Sequence, residues 1–205
     1  NASIVTTTAG TSNFIAGVNA GNSIASGGNY NTVVGDEAGT AITTGVENTL
    51  IGGAAGDALT TGVENVAVGY QALSADTLGT GSVAIGRKAL LAQNFTTATT
   101  SFNTAVGIVA GTSITTGIQN TLIGGIAGDA LTDADENVAV GYAALSGDTL
   151  GSRSTAIGHA ALVAQNFTTA TDSFNTAVGY AAGAAVTTGV NNTLIGGLAG
   201  DALTD

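Results

Sequence analysis

The residues able to do acid–base or metal chemistry are few and scattered. His159 is the one histidine, and there is no cysteine. A lone histidine can act as a general base. Seventy-two residues earlier the matching position holds Arg87, so His159 reads as a variable, solvent-facing position. A hydrolytic triad or a histidine metal cluster needs more members than this chain has. Asp133, Asp135 and Glu136 form a local acidic cluster. Carboxylates bind Ca²⁺, but the Gly-Gly-x-Gly-x-Asp repeat of calcium-binding rolls is missing. The cluster reads as a solvated loop. Asp57, Asp129 and Asp201 recur 72 residues apart, too far to share one ion. Gly52-Gly53-Ala54-Ala55-Gly56-Asp57 has the glycine content of a phosphate cradle, yet no Gly-Lys-Ser/Thr follows, and a turn is the simpler reading. No catalytic, metal-binding or cofactor-binding residue is assigned, and no cofactor is expected. The chain reads as non-enzymatic.

The best candidates for a contact surface are Phe95, Phe102, Phe167 and Phe174, four of the five phenylalanines. They lie in two matching segments, 93–102 and 165–174. Wedging between chains is one reading; a receptor-contacting ledge is the other. Asn94-Phe95-Thr96, Asn166-Phe167-Thr168 and Asn191-Asn192-Thr193 fit the N-glycosylation pattern, but chance matches are expected in so Asn- and Thr-rich a chain.

Composition narrows the class. The 205 residues include 32 glycines and no Pro, Cys, Met or Trp, and only 8% are charged. That share is about a third of the usual one. Much of the 44% hydrophobic content is alanine, so the core must be narrow and tightly built. The formal net charge is −11, with Arg87, Lys88 and Arg153 the only Lys or Arg. That lacks the basic footprint of a nucleic-acid binder and offers nothing to grip an anionic membrane. No run of ~18 unbroken apolar residues occurs, so no membrane insertion is expected. The chain opens at Asn1 and stops at Asp205 inside a repeat, which reads as a processed or excised piece of a longer array.

What must position these residues is a repeat. A pentapeptide of the type Asn103-Thr104-Ala105-Val106-Gly107 begins at residues 31, 48, 65, 82, 103, 120, 137, 154, 175 and 192. The steps are 17, 17, 17 and 21 residues, then the series repeats. About three-quarters of residues 31–102 recur at 103–174. A fixed short period means stacked supersecondary units. Residues 1–30 read as degenerate first coils, with Asn13-Phe14-Ile15-Ala16-Gly17 in the pentapeptide's place. Residues 31–205 form the array: super-repeats 31–102 and 103–174, and a partial one, 175–205.

Each pentapeptide reads as a strand. Its fourth position is always Val or Ile and its second always Thr or Val, so these β-branched residues share one face. The third position, Ala, Leu or Val, points the other way. A fifth-position Gly suits a sharp bend, and an unvarying Ala three residues later marks a second leg packed closely on the first. Seventeen residues with two short legs and two turns make one coil of a parallel β-solenoid, and the fold class is all-β. Like residues stack on like about 4.8 Å apart. Asn at the first position forms a ladder, interrupted by Ser82 and Ser154. Eleven or so coils predict a rod roughly 50 Å long. The four-residue insertions should bulge as loops. The pattern predicts a buried ladder of Val34, Ile51, Val68, Ile85, Val106, Ile123, Val140, Ile157, Val178 and Ile195. Third-position residues would then face neighbouring chains, and a partner chain is the economical cover.

Gly81-Ser82-Val83-Ala84-Ile85-Gly86 resembles the head repeat of trimeric autotransporter adhesins. Asn175-Thr176-Ala177-Val178-Gly179-Tyr180-Ala181-Ala182 is similar to repeats of phage tail-fibre-like surface proteins. The resemblance covers about residues 13–205. It implies a left-handed parallel β-roll, three chains side by side, and attachment. Those adhesin heads use shorter coils. The expected function is a structural or adhesive segment of an extracellular fibre, on a bacterial surface or a virion. Its partners would be itself, as a homotrimer, and a host-surface receptor or glycan. The competing classes are a passive shaft and an ice- or carbohydrate-binding solenoid. Stacked Thr could bind ice, but the second position alternates through Thr49, Val66, Val83 and Thr104.

Overall fold

The pentapeptides are the strands. The computed structural model describes residues 4–5 and 9–205, so the remainder of the Thr-rich start lies outside the described residues. The chain divides into two units, Asn1–Phe102 and Asn103–Asp205. No helix occurs among the described residues.

The first unit holds β1 (Ile4–Val5), β2 (Phe14–Ala16), β3 (Thr32–Val34), β4 (Thr49–Ile51), β5 (Val66–Val68), β6 (Gly79–Thr80), β7 (Val83–Ile85) and β8 (Thr99–Thr100). From β2 to β5 and on to β7 each strand pairs parallel with the next, residue on equivalent residue, as in Val33↔Leu50↔Ala67↔Ala84. The degenerate coil at Phe14 is thus a full member of the stack. β1 departs from the pattern and runs antiparallel to β2. β6 and β8 form a small second sheet.

The second unit repeats the plan with β9 (Thr104–Val106), β10 (Thr121–Ile123), β11 (Val138–Val140), β12 (Gly151–Ser152), β13 (Thr155–Ile157), β14 (Thr171–Asp172), β15 (Thr176–Val178) and β16 (Thr193–Ile195). β9, β10, β11, β13, β15 and β16 stack in parallel register, and β12 pairs with β14. The two units together carry eleven coils of a parallel β-solenoid.

The faces of the strand are the reverse of the expectation. The third position points into the coil: Val33, Leu50, Ala67, Ala84, Ala105, Leu122, Ala139, Ala156 and Ala177 are fully buried. The fourth-position ladder faces out, with Ile51, Ile85, Ile123, Ile157 and Ile195 exposed and the five valines between them half-buried. The cause is the space inside a 17-residue coil. The invariant Ala (Ala38, Ala55, Ala72, Ala110, Ala127) and the next leg's Ile42, Leu59, Ile114 and Leu131 already fill it. One inward side chain per strand is all that fits, and two outward β-branched residues flank it. Leu50 and Leu122 therefore face no neighbouring chain.

The fifth-position Gly is fixed twice over. Gly35 has φ 139°, and a Cβ there would stand 2.4 Å from the Gly52 carbonyl oxygen of the next coil. The second leg is mostly a run of turns, not a strand. It passes through left-handed residues such as Ala54 and Gly56, which break an extended run. Coil-to-coil bonds such as Gly39 N–H to Ala55 C=O, 2.9 Å, hold it. Only the long fourth coils add a second strand pair.

Inside, a buried asparagine ladder ties coil to coil. Asn48 Oδ1 accepts from the Asn65 N–H at 3.0 Å, and Asn48 Nδ2 donates across its own coil to Gly62 C=O at 2.9 Å. Asn120 does the same with the Asn137 N–H (3.0 Å) and Ala134 C=O (2.7 Å). Ser82 and Ser154 interrupt the ladder, as expected, and the inserted residues repair it. Gln93 Nε2 donates to Ser82 Oγ (2.8 Å) and to the buried Asp76 carboxylate (2.6 Å). Gln165 does so to Ser154 and Asp148, while its Oε1 accepts from Asn175 Nδ2 at 2.8 Å. The insertion is therefore partly core. Gln93 and Phe95 point inward, and residues 96–98 form an exposed bulge.

Candidate functional site

The four phenylalanines do not form one surface. Phe95 and Phe167 are only 5% and 6% exposed. They close the long fourth coil, and their backbone N–H groups donate to the buried carboxylates of Asp76 and Asp148 at 3.2 and 3.0 Å. Their aromatic bulk fills the wider coil, so burial removes them from any contact surface. Phe102 and Phe174 are exposed, both at left-handed corners with φ near 50°. Beside Phe174 the Arg153 guanidinium sits 5.8 Å from the ring centroid, a cation–π contact. Arg153 also pairs with Glu136 at 3.2 Å and with Asp172. This exposed ionic and aromatic staple joins successive coils, and its Arg153 and Asp172 replace Gly81 and Thr100 of the first unit.

His159 lies exposed between Tyr142 and Tyr180, with ring centroids 5.4 Å away on either side and interplanar angles of 26° and 21°. The stack follows from position: all three stand directly after a fifth-position Gly. His159 is stacked on both faces, while Tyr142 and Tyr180 stay more than half exposed. The acidic residues are committed separately. Asp133 accepts from Thr116 Oγ1 at 2.6 Å, Asp135 from the Ile118 N–H at 2.7 Å, and Glu136 holds Arg153. No group of three His, Cys, Asp or Glu side chains gathers for a metal ion among the described residues. Gly52 and Gly53 lie in a solenoid turn, with Gly52 packed on the next coil's Gly69. Asp57 and Asp129 each bury one oxygen without a hydrogen-bond partner, and burial pushes both carboxyls above their ordinary range.

The surface that repeats without interruption is the outward sheet face. In the second unit it comprises Thr104, Thr121, Val138, Thr155, Thr176 and Thr193 in one column. The other column is Val106, Ile123, Val140, Ile157, Val178 and Ile195. The first unit offers Thr32, Thr49, Val66 and Val83 beside Val34, Ile51, Val68 and Ile85. No charged residue stands at any of these positions. The sequence pattern located both columns but placed one of them inside. The signal that could have decided it is size: the third position includes Ala in six of ten units, as a crowded interior requires.

Compared with protein-family models, with curated proteins and with solved structures, the chain matches none.

Proposed function

We propose that this chain is a non-enzymatic segment of an extracellular fibre, on a bacterial surface or a virion, and that it works by attachment through the outward sheet face. The supporting observation is that face itself: uncharged, in register and repeated in every coil, on a chain of net charge −11. Large uncharged patches on otherwise polar surfaces are where partners bind. The test is adsorption of labelled protein to defined solid surfaces, compared with Ile123→Lys. The variant should adsorb far less. Equal adsorption by both removes the face from the function.

A second reading keeps the fibre but covers the face with parallel copies, as a homotrimer. It is favoured by β5 and β7, where Val66, Val68, Val83 and Ile85 make the face wholly aliphatic. The packing residues are then the second and fourth positions. Light scattering at low micromolar concentration separates the two readings: a mass near 19.6 kDa leaves the face free, and three times that mass covers it.

A further inference from the structure

We infer that the sheet face of the second unit binds ice; this rests on the reading that the face is free. Five of its six second-position residues are threonine: Thr104, Thr121, Thr155, Thr176 and Thr193, with Val138 the one break. Thr155 stands where the first unit has Val83, so the rank that is broken there is nearly continuous here.

The hydroxyls of these five threonines have no protein partner among the described residues. Other threonines of the same coils are committed. Thr115, Thr132 and Thr149 donate to carbonyls of the following coil at 3.2, 3.0 and 2.8 Å. On the sheet face, by contrast, every threonine hydroxyl of the second unit is free. Each supplies one donor and two acceptor sites. Beside them stand the methyl groups of Thr itself and of the Val/Ile column. All twelve side chains are β-branched, so their χ1 angles are stiff and the array is ordered before it binds.

The geometry selects the partner. Neighbouring strands lie roughly 4.8 Å apart, and residues i and i+2 along a strand roughly 6.7 Å apart. The columns, in exact register from coil to coil, therefore form a two-dimensional net. A compact ligand would use a few points of that net. A partner that repeats in two directions uses all of it, and many weak contacts then add. The partner must also be uncharged and rich in hydrogen-bonding groups. An ice surface has both properties, with spacings of this order. A crystalline polysaccharide is the next candidate, but it is gripped by open aromatic faces. No aromatic residue stands in either column of the second unit.

The experiment uses the full chain, with molar mass measured on the same sample and ice as the probe. Thermal hysteresis and partition into a growing ice front are recorded for the parent, for Thr121→Lys on the face and for Thr168→Lys on an exposed loop. Circular dichroism checks that each is folded. The parent and Thr168→Lys should arrest ice growth and enter the ice, and Thr121→Lys should lose most of both effects. A folded monomer without effect on ice overturns the inference, as does a fully active Thr121→Lys. Adsorption to cellulose or chitin but not to ice also overturns it, while leaving attachment standing. A trimer that is silent toward ice removes the free face on which the inference rests.

Discussion

Leu122 and Ile123 are adjacent, similar in size and opposite in fate. Leu122 is fully buried, while Ile123 is 39% exposed on the outward face. Leu122 stacks between Ala105 and Ala139 and fills the space over Gly128, where an added Cβ would come within 2.7 Å of its Cδ2. Truncation to Ala leaves a cavity that rigid coils cannot close, and buried Leu→Ala changes cost about 2–5 kcal/mol. Leu122→Asp adds a buried unpaired carboxylate and should cost more than that. Against a total stability of roughly 5–15 kcal/mol, it should unfold much of the second unit. Ile123→Asp removes only a partly exposed side chain and some strand preference, about 1 kcal/mol in an isolated chain.

The assay is urea unfolding followed by circular dichroism, on samples whose mass is known. With a slope of about 2 kcal/mol per molar urea, Leu122→Ala should lower the midpoint by roughly 1–2.5 M and Ile123→Asp by no more than about 0.5 M. An Ile123→Asp monomer destabilised as much as Leu122→Ala would refute the assignment of faces. If copies of the chain cover the face, Ile123→Asp should instead lower the molar mass, and its cost should depend on protein concentration.

Gln165→Leu should cost roughly 1–3 kcal/mol, because it leaves the buried Asp148 Oδ2 without its donor and withdraws one of the two acceptors of Asn175 Nδ2; urea midpoints check it. Asp57→Asn and Asp129→Asn should each raise stability at neutral pH. Burial raises these carboxyls in the folded chain, so the folded state binds more protons and stability falls as pH rises through the folded pKa. The variants should show less of that fall between pH 4 and neutrality, which thermal melts across pH will read. Val109 has φ 64°, costly for a β-branched residue, and Val109→Asn should raise stability by roughly 1 kcal/mol.

How legible was this in the sequence? The solenoid, its register and its ladders were legible because period and stacking are the same fact. A residue that recurs every 17 positions stacks on itself, and Asn48, Asn65, Asn120 and Asn137 do. Which face of the strand turned inward was not legible from hydrophobicity, since both faces are apolar. It was decided by volume: with Ala55 and Leu59 already inside the coil, Leu50 fits between them and Ile51 cannot follow. The fate of the phenylalanines was hidden for a related reason. Phe95 and Phe102 share one segment and one composition, but the insertion turns the first inward and leaves the second at a corner. The Tyr142–His159–Tyr180 stack was present in the numbering once the residue after each Gly was read as a column.

The 72-residue super-repeat has a physical reason that a plain 17-residue repeat would lack. Ser82 keeps the ladder's backbone contact, its N–H donating to Asn65 Oδ1 at 2.9 Å, but has no amide to span its own coil. The coil therefore loses its cross-brace where the chain lengthens by four residues. The added length carries the brace in from the other side. Gln93 and Gln165 supply the missing amide, Asp76 and Asp148 hold it, and the paired Ser hydroxyls at 2.5 Å close the network. Neither change stands alone: Ser without the inserted Gln leaves the coil unbraced, and Gln without Ser meets an occupied interior. Asp76, Ser82 and Gln93 must therefore be inherited together, and the four-coil block carries that set intact. An array that grows by copying that block lengthens while repeating the same outward face, which is what a fibre segment requires.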